Sequence, residues 1–386
     1  MRLKPIVFIF SDWFYPASNA GGPIQSVQNL VNAIRNYFQI YVYTSAYDIN
    51  SSDKLQGIIS DRWHLTKDYF LYYSTRNQSM LELQKQIFEI KPNVIYLNSM
   101  FSKTYSIHVL WSLVKSNYSG KIILAPRGML KESAIKRKFL KKYIYLKLAE
   151  AFGWYNTVTF HATNKQEEKE ILSYFPKAKI YVIDNLSPDL CPQLQSIHKE
   201  KGLMKLVFVG RVHPIKNLKL IFECLLYVSV KIEINIIGNI EENKYYQQLK
   251  HLESMLKENI QVNYVGPLLH SKIANSILGS HLFVLPTLGE NYGHAIIEAL
   301  SVGRPVLISD KTPWKNLKDY NAGWELTLSD KQAWINAIEI AASWDQDEFD
   351  KHCVGALTYA KAHSNNKELV KMYIEMFSGT ETTQKR

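Results

Sequence analysis

Two glutamates that stand eight positions apart, Glu290 and Glu298, are the residues of this sequence whose type and spacing first indicate chemistry. An apolar run, residues 281–286, precedes them, and Gly293 lies between them. This order predicts a buried strand, a short loop that carries Glu290, and a helix that carries Glu298. In an open α/β sheet, ligands bind beyond the carboxyl ends of the strands, and the start of a helix attracts anions. The stretch therefore predicts a crevice for a ligand with both hydroxyl groups and phosphates, such as a nucleotide sugar.

A second group of candidate residues lies about eighty positions upstream, where an apolar run ends at Gly210. Arg211 follows directly, and Lys216 comes shortly afterwards. Beyond the end of a strand, a planar guanidinium and a compact ammonium suit the binding of phosphate groups. The alternative for Arg211 is an isolated surface salt bridge, which contributes little to stability.

The two groups together resemble the signature of the family 4 retaining glycosyltransferases, which have the GT-B fold. The likeness rests on the Glu-x7-Glu spacing with Tyr-Gly after the first glutamate, on Gly303-Arg304-Pro305-Val306, and on the strand-end Gly-Arg with its downstream lysine. It covers most of residues 203–345 and extends more loosely over the N-terminal half. The resemblance implies an α/β protein with two Rossmann-like domains, whose parallel sheets face each other across a cleft. A C-terminal helix would cross back to the first domain.

The resemblance also implies a role for each candidate residue of the second domain. Arg211 and Lys216 would stabilise the diphosphate as it leaves, and Glu290 would hold a sugar hydroxyl and stabilise positive charge on the ring. Glu298 would accept hydrogen bonds from a ribose diol, because both carboxylate oxygens are acceptors. The other expected donor-binding residues are Gly210, Gly266, Leu268, Asn291, Tyr292, Gly293 and His294.

Candidate acceptor-side residues lie in the N-terminal half, where the resemblance is thinner. Gly21 and Gly22 open a predicted helix after the first strand, and in the resembling family such a pair faces the cleft. A turn that merely needs glycine is the alternative. Arg127 and Gly128 follow another predicted strand, near a position where other branches of the family place a histidine. Arg127 would then clamp a phosphate or the acceptor, or it would only pair with an acidic neighbour.

A chain of 386 residues is too long for one ordinary core, so its length favours two domains. Strands alternate with helices in both halves, which predicts parallel sheets covered on both faces. We expect an acceptor-side domain, a linker, a donor domain, and a crossover helix with its tail, at residues 1–187, 188–202, 203–365 and 366–386. Residues 46–70 are polar and irregular, which predicts a peripheral insertion that Trp63 and Tyr69 anchor.

The composition indicates a folded protein with an anionic partner. Hydrophobic residues make up 46% of the chain, and 46 Lys and Arg against 35 Asp and Glu give a formal charge of +11. Cys191, Cys224 and Cys353 lie far apart, so we expect a reducing compartment and no disulfide framework. The apolar run near the start stops too early for a signal peptide, and no stretch reaches the ~18–20 apolar residues that span a bilayer. We therefore expect a cytoplasmic protein that is soluble or peripheral at the inner face of the cell membrane.

Part of the positive charge is concentrated in residues 131–147, which contain seven Lys and Arg against one Glu. The apolar residues Ile135, Phe139, Leu140 and Ile144 recur there at roughly helical spacing. One interpretation is a helix with a core face and a solvated basic face. The other is a helix that contacts an anionic membrane surface or a phosphorylated acceptor.

Three classes of function remain open. The first is retaining transfer of a sugar from a nucleotide-sugar donor to a glycan or lipid-linked acceptor in surface polysaccharide synthesis. It needs no cofactor, and the sequence has no His/Cys cluster to indicate a metal site. The second, a glycoside hydrolase that uses Glu290 and Glu298, leaves Arg211 and Lys216 unexplained. The third is a non-catalytic basic protein that binds lipid or RNA, although the interleaved aromatic and basic motif of a nucleic-acid sheet is missing, so we expect no nucleic-acid partner.

Overall fold

The computed structural model describes residues 4–75, 80–116, 118–136, 139–187, 197–364 and 366–379. It divides into two compact units, residues 1–186 together with 366–386, and residues 187–365. Each unit has its own sheet and its own buried core. Most of the expected linker, residues 188–196, and Cys191 within it lie outside the described residues.

The first unit is built on an eight-stranded sheet in the order β3-β4-β2-β1-β5-β6-β7-β8. Its strands are β1 Ile6–Ser11, β2 Gln39–Ser45, β3 His64–Leu65, β4 Phe70–Ser74, β5 Val94–Asn98, β6 Lys121–Ala125, β7 Val158–Ala162 and β8 Lys179–Val182. All paired strands are parallel except β3 with β4. β1 is central, and its Phe10 lies opposite Tyr43 on one side and Leu97 on the other. The central strands are buried along nearly their whole length, as expected for a parallel sheet that helices cover on both faces.

Helices cover both faces of this sheet, and one of them comes from the end of the chain. They are α1 Gly22–Ile34, α2 Met80–Ile90, a π-helical turn Lys103–Ile107 that continues into α3 His108–Lys115, α4 Glu132–Lys136, α5 Phe139–Ala151, α6 Lys165–Tyr174 and the final α13 Asn366–Ser378. In α13, Tyr373, Met376 and Phe377 are buried in the same core as the inner face of α1. The backbone carbonyl of Met376 accepts a 2.5 Å hydrogen bond from Lys121 Nζ. The predicted return of the last helix to the first domain is therefore confirmed.

The stretch predicted as a peripheral insertion, residues 46–70, leads directly into a sheet strand that the sequence analysis missed. β4 is the parallel neighbour of β2 and is almost fully buried. Trp63 does anchor the stretch: its indole donates a 2.5 Å hydrogen bond to Gln86 and packs against Tyr41 and Tyr72. β4 was missed because its five residues, Phe-Leu-Tyr-Tyr-Ser, have no period that separates a strand from a loop.

The second unit has a six-stranded parallel sheet in the order β11-β10-β9-β12-β13-β14. Its strands are β9 Leu203–Val209, β10 Lys231–Ile237, β11 Ile260–Gly266, β12 Leu282–Leu285, β13 Val306–Ser309 and β14 Gly323–Leu326. Its helices are α7 Leu218–Leu225, α8 Asn243–Glu253, α9 His270–Leu278, α10 His294–Ser301, α11 Lys331–Ser343 and α12 Gln346–His363. The two apolar runs that the sequence analysis interpreted as strands, before Gly210 and at residues 281–286, form β9 and β12. Cys224 and Cys353 are free thiols in this core, and burial raises the pKa of each to about 12.

Candidate functional site

The loops at the carboxyl edge of the second sheet bring Lys216 and Glu290 together. Lys216 ends a short 3-10 turn after β9, and Glu290 lies in the loop after β12, the strand next to β9. The backbone N–H of Leu288 donates to the carbonyl of Ile215 at 2.8 Å, and Thr287 Oγ1 donates to the same carbonyl at 3.1 Å. These bonds tie the two loops together. Lys216 Nζ consequently forms an ion pair with Glu290 Oε1, in which the side chains are only 18% and 13% exposed.

Arg211 also has a carboxylate partner. Its Nη1 donates to both carboxylate oxygens of Glu241, at 2.9 and 2.8 Å. Glu241 follows β10, the other neighbour of β9, and the sequence analysis did not single it out. Opposite charges after β9 and β10 could have predicted the Arg211–Glu241 pair. That prediction also requires the order of the strands in the sheet, which the sequence analysis did not provide. Both expected phosphate-binding cations are therefore held in place by carboxylates of adjacent loops.

The helix expected near Gly293 begins there. Gly293 has φ +81°, in the left-handed region that favours glycine, and α10 starts at His294. Trp314 Nε1 donates a 2.5 Å hydrogen bond to the carbonyl of Tyr292, whose hydroxyl is 2.6 Å from Ser187 Oγ. The ring of Tyr292 also packs at 4.7 Å from the buried His294 ring. The turn before α10 is thus rigidly held, and a helix start presents backbone N–H groups that favour an anion.

Asn291 lies between this turn and Glu290. Its side-chain oxygen is buried and has no hydrogen-bond partner among the described residues. Burying a polar atom without a hydrogen-bond partner costs free energy. A ligand that donates a hydrogen bond to this oxygen would therefore be favoured here. The role of Asn291 in binding the nucleotide-sugar donor stays a prediction.

Glu298 contacts a residue that the sequence analysis missed. Glu298 Oε1 is 2.9 Å from Nε2 of His270, the first residue of α9. The Glu298 side chain is 12% exposed, whereas that of His270 is 39% exposed. The hydrogen bond to Glu298 raises the pKa of His270, and this effect outweighs the opposing effect of burial. His270 was missed because nothing in the local sequence places the start of α9 beside α10.

The three remaining candidates of this unit are Gly210, Gly266 and Leu268. Gly210 lies against Gly238 so closely that a Cβ on Gly238 would be 2.0 Å from the Gly210 carbonyl oxygen. Gly266 has φ +79° at the end of β11, and its carbonyl accepts from the Gly238 N–H at 2.9 Å. Leu268 packs partly buried against the core. Glycine backbone thus lies at the ends of β9, β10 and β11, and glycine permits close approach of another group to the chain.

In the first unit, the guanidinium of Arg127 is held by neutral groups. Its Nε donates to Asn98 Oδ1 at 2.7 Å, its Nη1 to Asn185 Oδ1 at 2.5 Å, and its Nη2 to Tyr96 Oη at 2.8 Å. These contacts contradict the alternative in which Arg127 pairs with an acidic neighbour. The same network lowers the pKa of His161 to about 3, through burial first and the Arg127 charge second.

Gly128 and Gly21 have positive φ angles that favour glycine, and Gly22 is the first residue of α1. The backbone N–H of Gly128 donates a 2.5 Å hydrogen bond to the fully buried carboxylate of Glu167, and Gly128 has φ +74°. Gly21 has φ +62° and precedes α1, which begins at Gly22. A Cβ on Gly21 would meet nothing within 4 Å, so the turn itself explains that glycine and the space beside it remains open.

The basic segment 131–147 forms α4 and α5, with Arg137 and Lys138 between them outside the described residues. Of the two interpretations, the one with a core face fails for three of its four residues: Phe139, Leu140 and Ile144 are 52%, 68% and 49% exposed, and Ile135 alone is buried. The inner side of α5 is instead formed by Leu146 and Ala149. Apolar spacing identified the helix, but a helix with apolar residues on several sides does not reveal which side faces the core.

The described residues contain neither a membrane-spanning helix nor a metal-binding cluster. No helix there combines the length and apolar character that crossing a bilayer requires. No group of three or more His, Cys, Asp or Glu side chains in that part of the chain is arranged to hold a metal ion.

The two mainly parallel sheets belong to the GT-B class of fold, because solved structures of that class match nearly the whole chain. Sucrose-phosphate synthase from Thermosynechococcus elongatus aligns with a TM-score of 0.71 and 15% identity, over 98% of this chain and 100% of that one. HepE from Anabaena, in complex with UDP and glucose, aligns with a TM-score of 0.72 and 13% identity, over 98% and 100%. WaaG, a glycosyltransferase involved in lipopolysaccharide biosynthesis, aligns with a TM-score of 0.67 and 11% identity, over 97% of this chain and 100% of that one.

The sequence comparison is more specific but covers less of the chain. Residues 204–343 match the family model described as "Glycosyl transferases group 1". This segment contains Arg211, Lys216, Glu290 and Glu298 together with their partners Glu241 and His270. Comparison with curated proteins gives no match.

Proposed function

We propose that this protein is a retaining glycosyltransferase that moves a sugar from a nucleotide-sugar donor to a glycan or lipid-linked acceptor in surface polysaccharide synthesis. One observation carries the proposal: the Lys216–Glu290 ion pair lies in two hydrogen-bonded loops, and the second of these loops leads into the start of α10. The match of residues 204–343 to glycosyl transferases group 1 supports it, as does the GT-B fold.

The positive groups of the site would act on the leaving diphosphate. As the bond to the anomeric carbon breaks, negative charge accumulates on the phosphates, and fixed positive charge lowers the barrier. Lys216 and Arg211 would supply that charge together with the N–H groups at the start of α10. Their pairing with Glu290 and Glu241 keeps both cations oriented before the donor arrives, so little reorganisation is needed when it binds.

The two glutamates would bind the hydroxyl groups on either side of the diphosphate. Glu298 would accept from the ribose diol, and the bond to His270 fixes its orientation. Glu290 would hold a hydroxyl of the transferred sugar and stabilise positive charge on its ring. Attack from the same face, with the leaving phosphate as the base, accounts for retention without a separate nucleophile. We further propose that the reaction needs neither a cofactor nor a divalent metal.

The proposal is tested with a panel of nucleotide sugars and no acceptor. The cognate donor should raise the melting temperature, since ligand binding stabilises the folded state with the logarithm of its concentration. The same donor should be hydrolysed slowly, at a rate that EDTA leaves unchanged. A glycoside hydrolase would instead cleave simple glycosides, and a non-catalytic binding protein would turn over neither. Failure of every donor to bind or react would refute the proposal.

Replacing Glu298 with alanine should weaken binding of the cognate nucleotide about 10- to 100-fold. The ribose diol would lose its charged acceptor, and hydrogen bonds to charged groups contribute about 1.5–3 kcal/mol. Isothermal titration with the bare nucleotide diphosphate measures the effect, because no sugar contact is then involved. Glu223→Ala is the matched control, since Glu223 also pairs with cations but lies on α7, outside the proposed site. Equal affinities of the Glu298→Ala variant and the control for the nucleotide would contradict the assignment of Glu298 to the donor site.

We also propose that α5 binds an anionic membrane surface. Besides Phe139, Leu140 and Ile144, the exposed apolar side chains of this stretch are Tyr143, Leu148 and Phe152. Leu140, Ile144, Leu148 and Phe152 recur every four residues and so form one stripe along the helix. Lysines accompany the stripe: Lys141 and Lys147 are exposed on α5, and Lys131 precedes α4. Apolar side chains that enter the interface beside basic ones that attract anionic headgroups are typical of a helix lying in the membrane plane.

The triple variant Leu140→Ser, Ile144→Ser, Leu148→Ser should lose most of its binding to vesicles that contain phosphatidylglycerol. Burial of each of these side chains contributes about 1.5–3 kcal/mol to the free energy of binding, and serine removes that contribution. We therefore expect the bound fraction in co-sedimentation to fall at least tenfold. Ile340→Ser with Val354→Ser, which alters exposed apolar residues of the second unit, is the control. Charge reversal of Lys141 should weaken binding to anionic vesicles only. Undiminished sedimentation of the triple variant would exclude this helix as the membrane contact.

A further inference from the structure

A pocket of about 570 Å³ lies at the carboxyl edge of the first sheet, and none of the candidate site residues considered above lines it. Asp12 and Trp13 line it from the end of β1, Ser45 from the end of β2, and Tyr105 from the π-helical turn after β5. The loop after β2 closes it, with Asp48 among its lining residues. Its volume is in the range of small-molecule sites, and the edge it occupies is where α/β sheets bind ligands.

The wall of this pocket is held in shape by Asp48. One of its carboxylate oxygens accepts from the backbone N–H groups of Ser18 and Asn19, at 2.8 and 3.1 Å, and the other accepts from the N–H of Ile49 at 2.7 Å. The loop after β1 is thereby fastened to the loop after β2. Because three backbone donors engage Asp48, its role is to shape the pocket.

Asp12 is the carboxylate that remains for a ligand. It accepts a 2.7 Å hydrogen bond from Ser102 Oγ. Burial raises the pKa of Asp12, and its hydrogen bonds with Ser102, Ser99 and its own backbone only partly offset this effect. A carboxylate has about four acceptor positions, so further donors from a ligand would compensate for its lost hydration.

The pocket contrasts with the charge of the rest of the chain. The protein has a formal charge of +11, but the described residues that line the pocket include two carboxylates and no lysine or arginine. An anionic ligand would be repelled here, whereas hydroxyl donors would be bound. Trp13 adds a flat apolar surface, and it is half-buried against Ala17, Ala20 and Ile24.

We propose that this pocket binds a sugar ring of the acceptor that carries no phosphate or carboxylate group, with Asp12 accepting from its hydroxyls and Trp13 packing against its face. The inference rests on the proposed function insofar as it names the bound sugar as the acceptor. It narrows the acceptor, because any phosphate of a lipid-linked substrate must then lie outside the pocket.

Saturation-transfer NMR with the full-length protein tests the proposal without any donor. The probes are methyl glycosides of glucose, galactose and N-acetylglucosamine, each beside the corresponding sugar 6-phosphate. Wild-type protein should saturate at least one methyl glycoside, and its phosphorylated counterpart should bind at least tenfold more weakly. Asp12→Asn and Trp13→Leu should each weaken the binding of that glycoside at least tenfold. Asp53→Asn, an exposed residue of the same loop as Asp48, should leave it unchanged.

Each possible result decides the matter. Equal binding of the phosphorylated sugar, absence of any glycoside binding, or full binding by both folded variants would overturn the assignment. Thermal unfolding identifies a variant that has not folded, and the other variant then supplies the answer. The donor panel is independent of these measurements, so a protein that hydrolyses a nucleotide sugar but fails here loses only the pocket assignment.

Discussion

Replacing Lys216 with alanine is expected to lower turnover of the cognate nucleotide sugar about 100- to 1,000-fold, the loss typical of one charge-stabilising donor. Lys216 is mostly buried, and its ammonium lies beside Glu290 in loops that hydrogen bonds fasten together. Its position is therefore preorganised. A charge that stabilises the leaving diphosphate acts mainly in the transition state, so kcat should fall much more than donor affinity.

The Glu290→Gln variant distinguishes two roles of Lys216, namely stabilising the leaving diphosphate and orienting Glu290. If Lys216 only orients the glutamate, Lys216→Ala should cost little once Glu290→Gln is already present. If Lys216 acts on the diphosphate, the loss should persist in the double variant. Lys219→Ala is the matched control, because Lys219 is an exposed lysine close in sequence that pairs with Glu223. A Lys216→Ala variant whose rate stays within threefold of wild type would refute the catalytic assignment.

Gly238→Ala is expected to lower the free energy of unfolding of the second unit by about 3–5 kcal/mol, from overpacking and backbone strain together. Gly238 has φ +141°, and a Cβ there would be 2.0 Å from the carbonyl oxygen of Gly210. That oxygen belongs to the backbone, so it cannot turn aside as a flexible side chain can. Relief requires the ends of β9 and β10 to separate, which would also part Arg211 from Glu241.

Urea unfolding monitored by tryptophan fluorescence and by circular dichroism measures this effect. Gly289→Ala is the control from the loop that carries Glu290, because a Cβ there would meet nothing within 4 Å. It should change stability by about 0.5 kcal/mol or less. If Gly238→Ala unfolded at the same urea concentration as this control, the close approach of the two glycines would not be a constraint on the fold.

Much of the second unit was predictable because its signals are local. β9 and β12 are largely apolar runs that stop at Gly210 and at Pro286, and the end of each strand is set by that change. Gly293 before α10 is likewise a local requirement, since a left-handed turn favours glycine. Candidate residues at strand ends therefore came to lie at the carboxyl edge of the sheet, as predicted.

The errors arose where local pattern does not decide the outcome. Phe139, Leu140 and Ile144 have the spacing of a core face, yet the rest of the first unit buries Leu146 and Ala149 instead. Arg127 likewise lacks the acidic partner of one alternative, because Tyr96 and Asn98 of β5 and Asn185 from a second segment accept its hydrogen bonds. Burial and pairing of this kind depend on which elements become neighbours.

The sequence by itself determined the strand and helix alternation, the positions of the glycines in left-handed turns, and which polar residues follow each strand. These depend on side chains within a few positions of one another. Only the tertiary structure decided that Lys216 pairs with Glu290, Arg211 with Glu241 and Glu298 with His270. Those partners lie 28 to 74 positions apart in the chain, and the order of strands in the sheet is what brings them within a hydrogen-bond length.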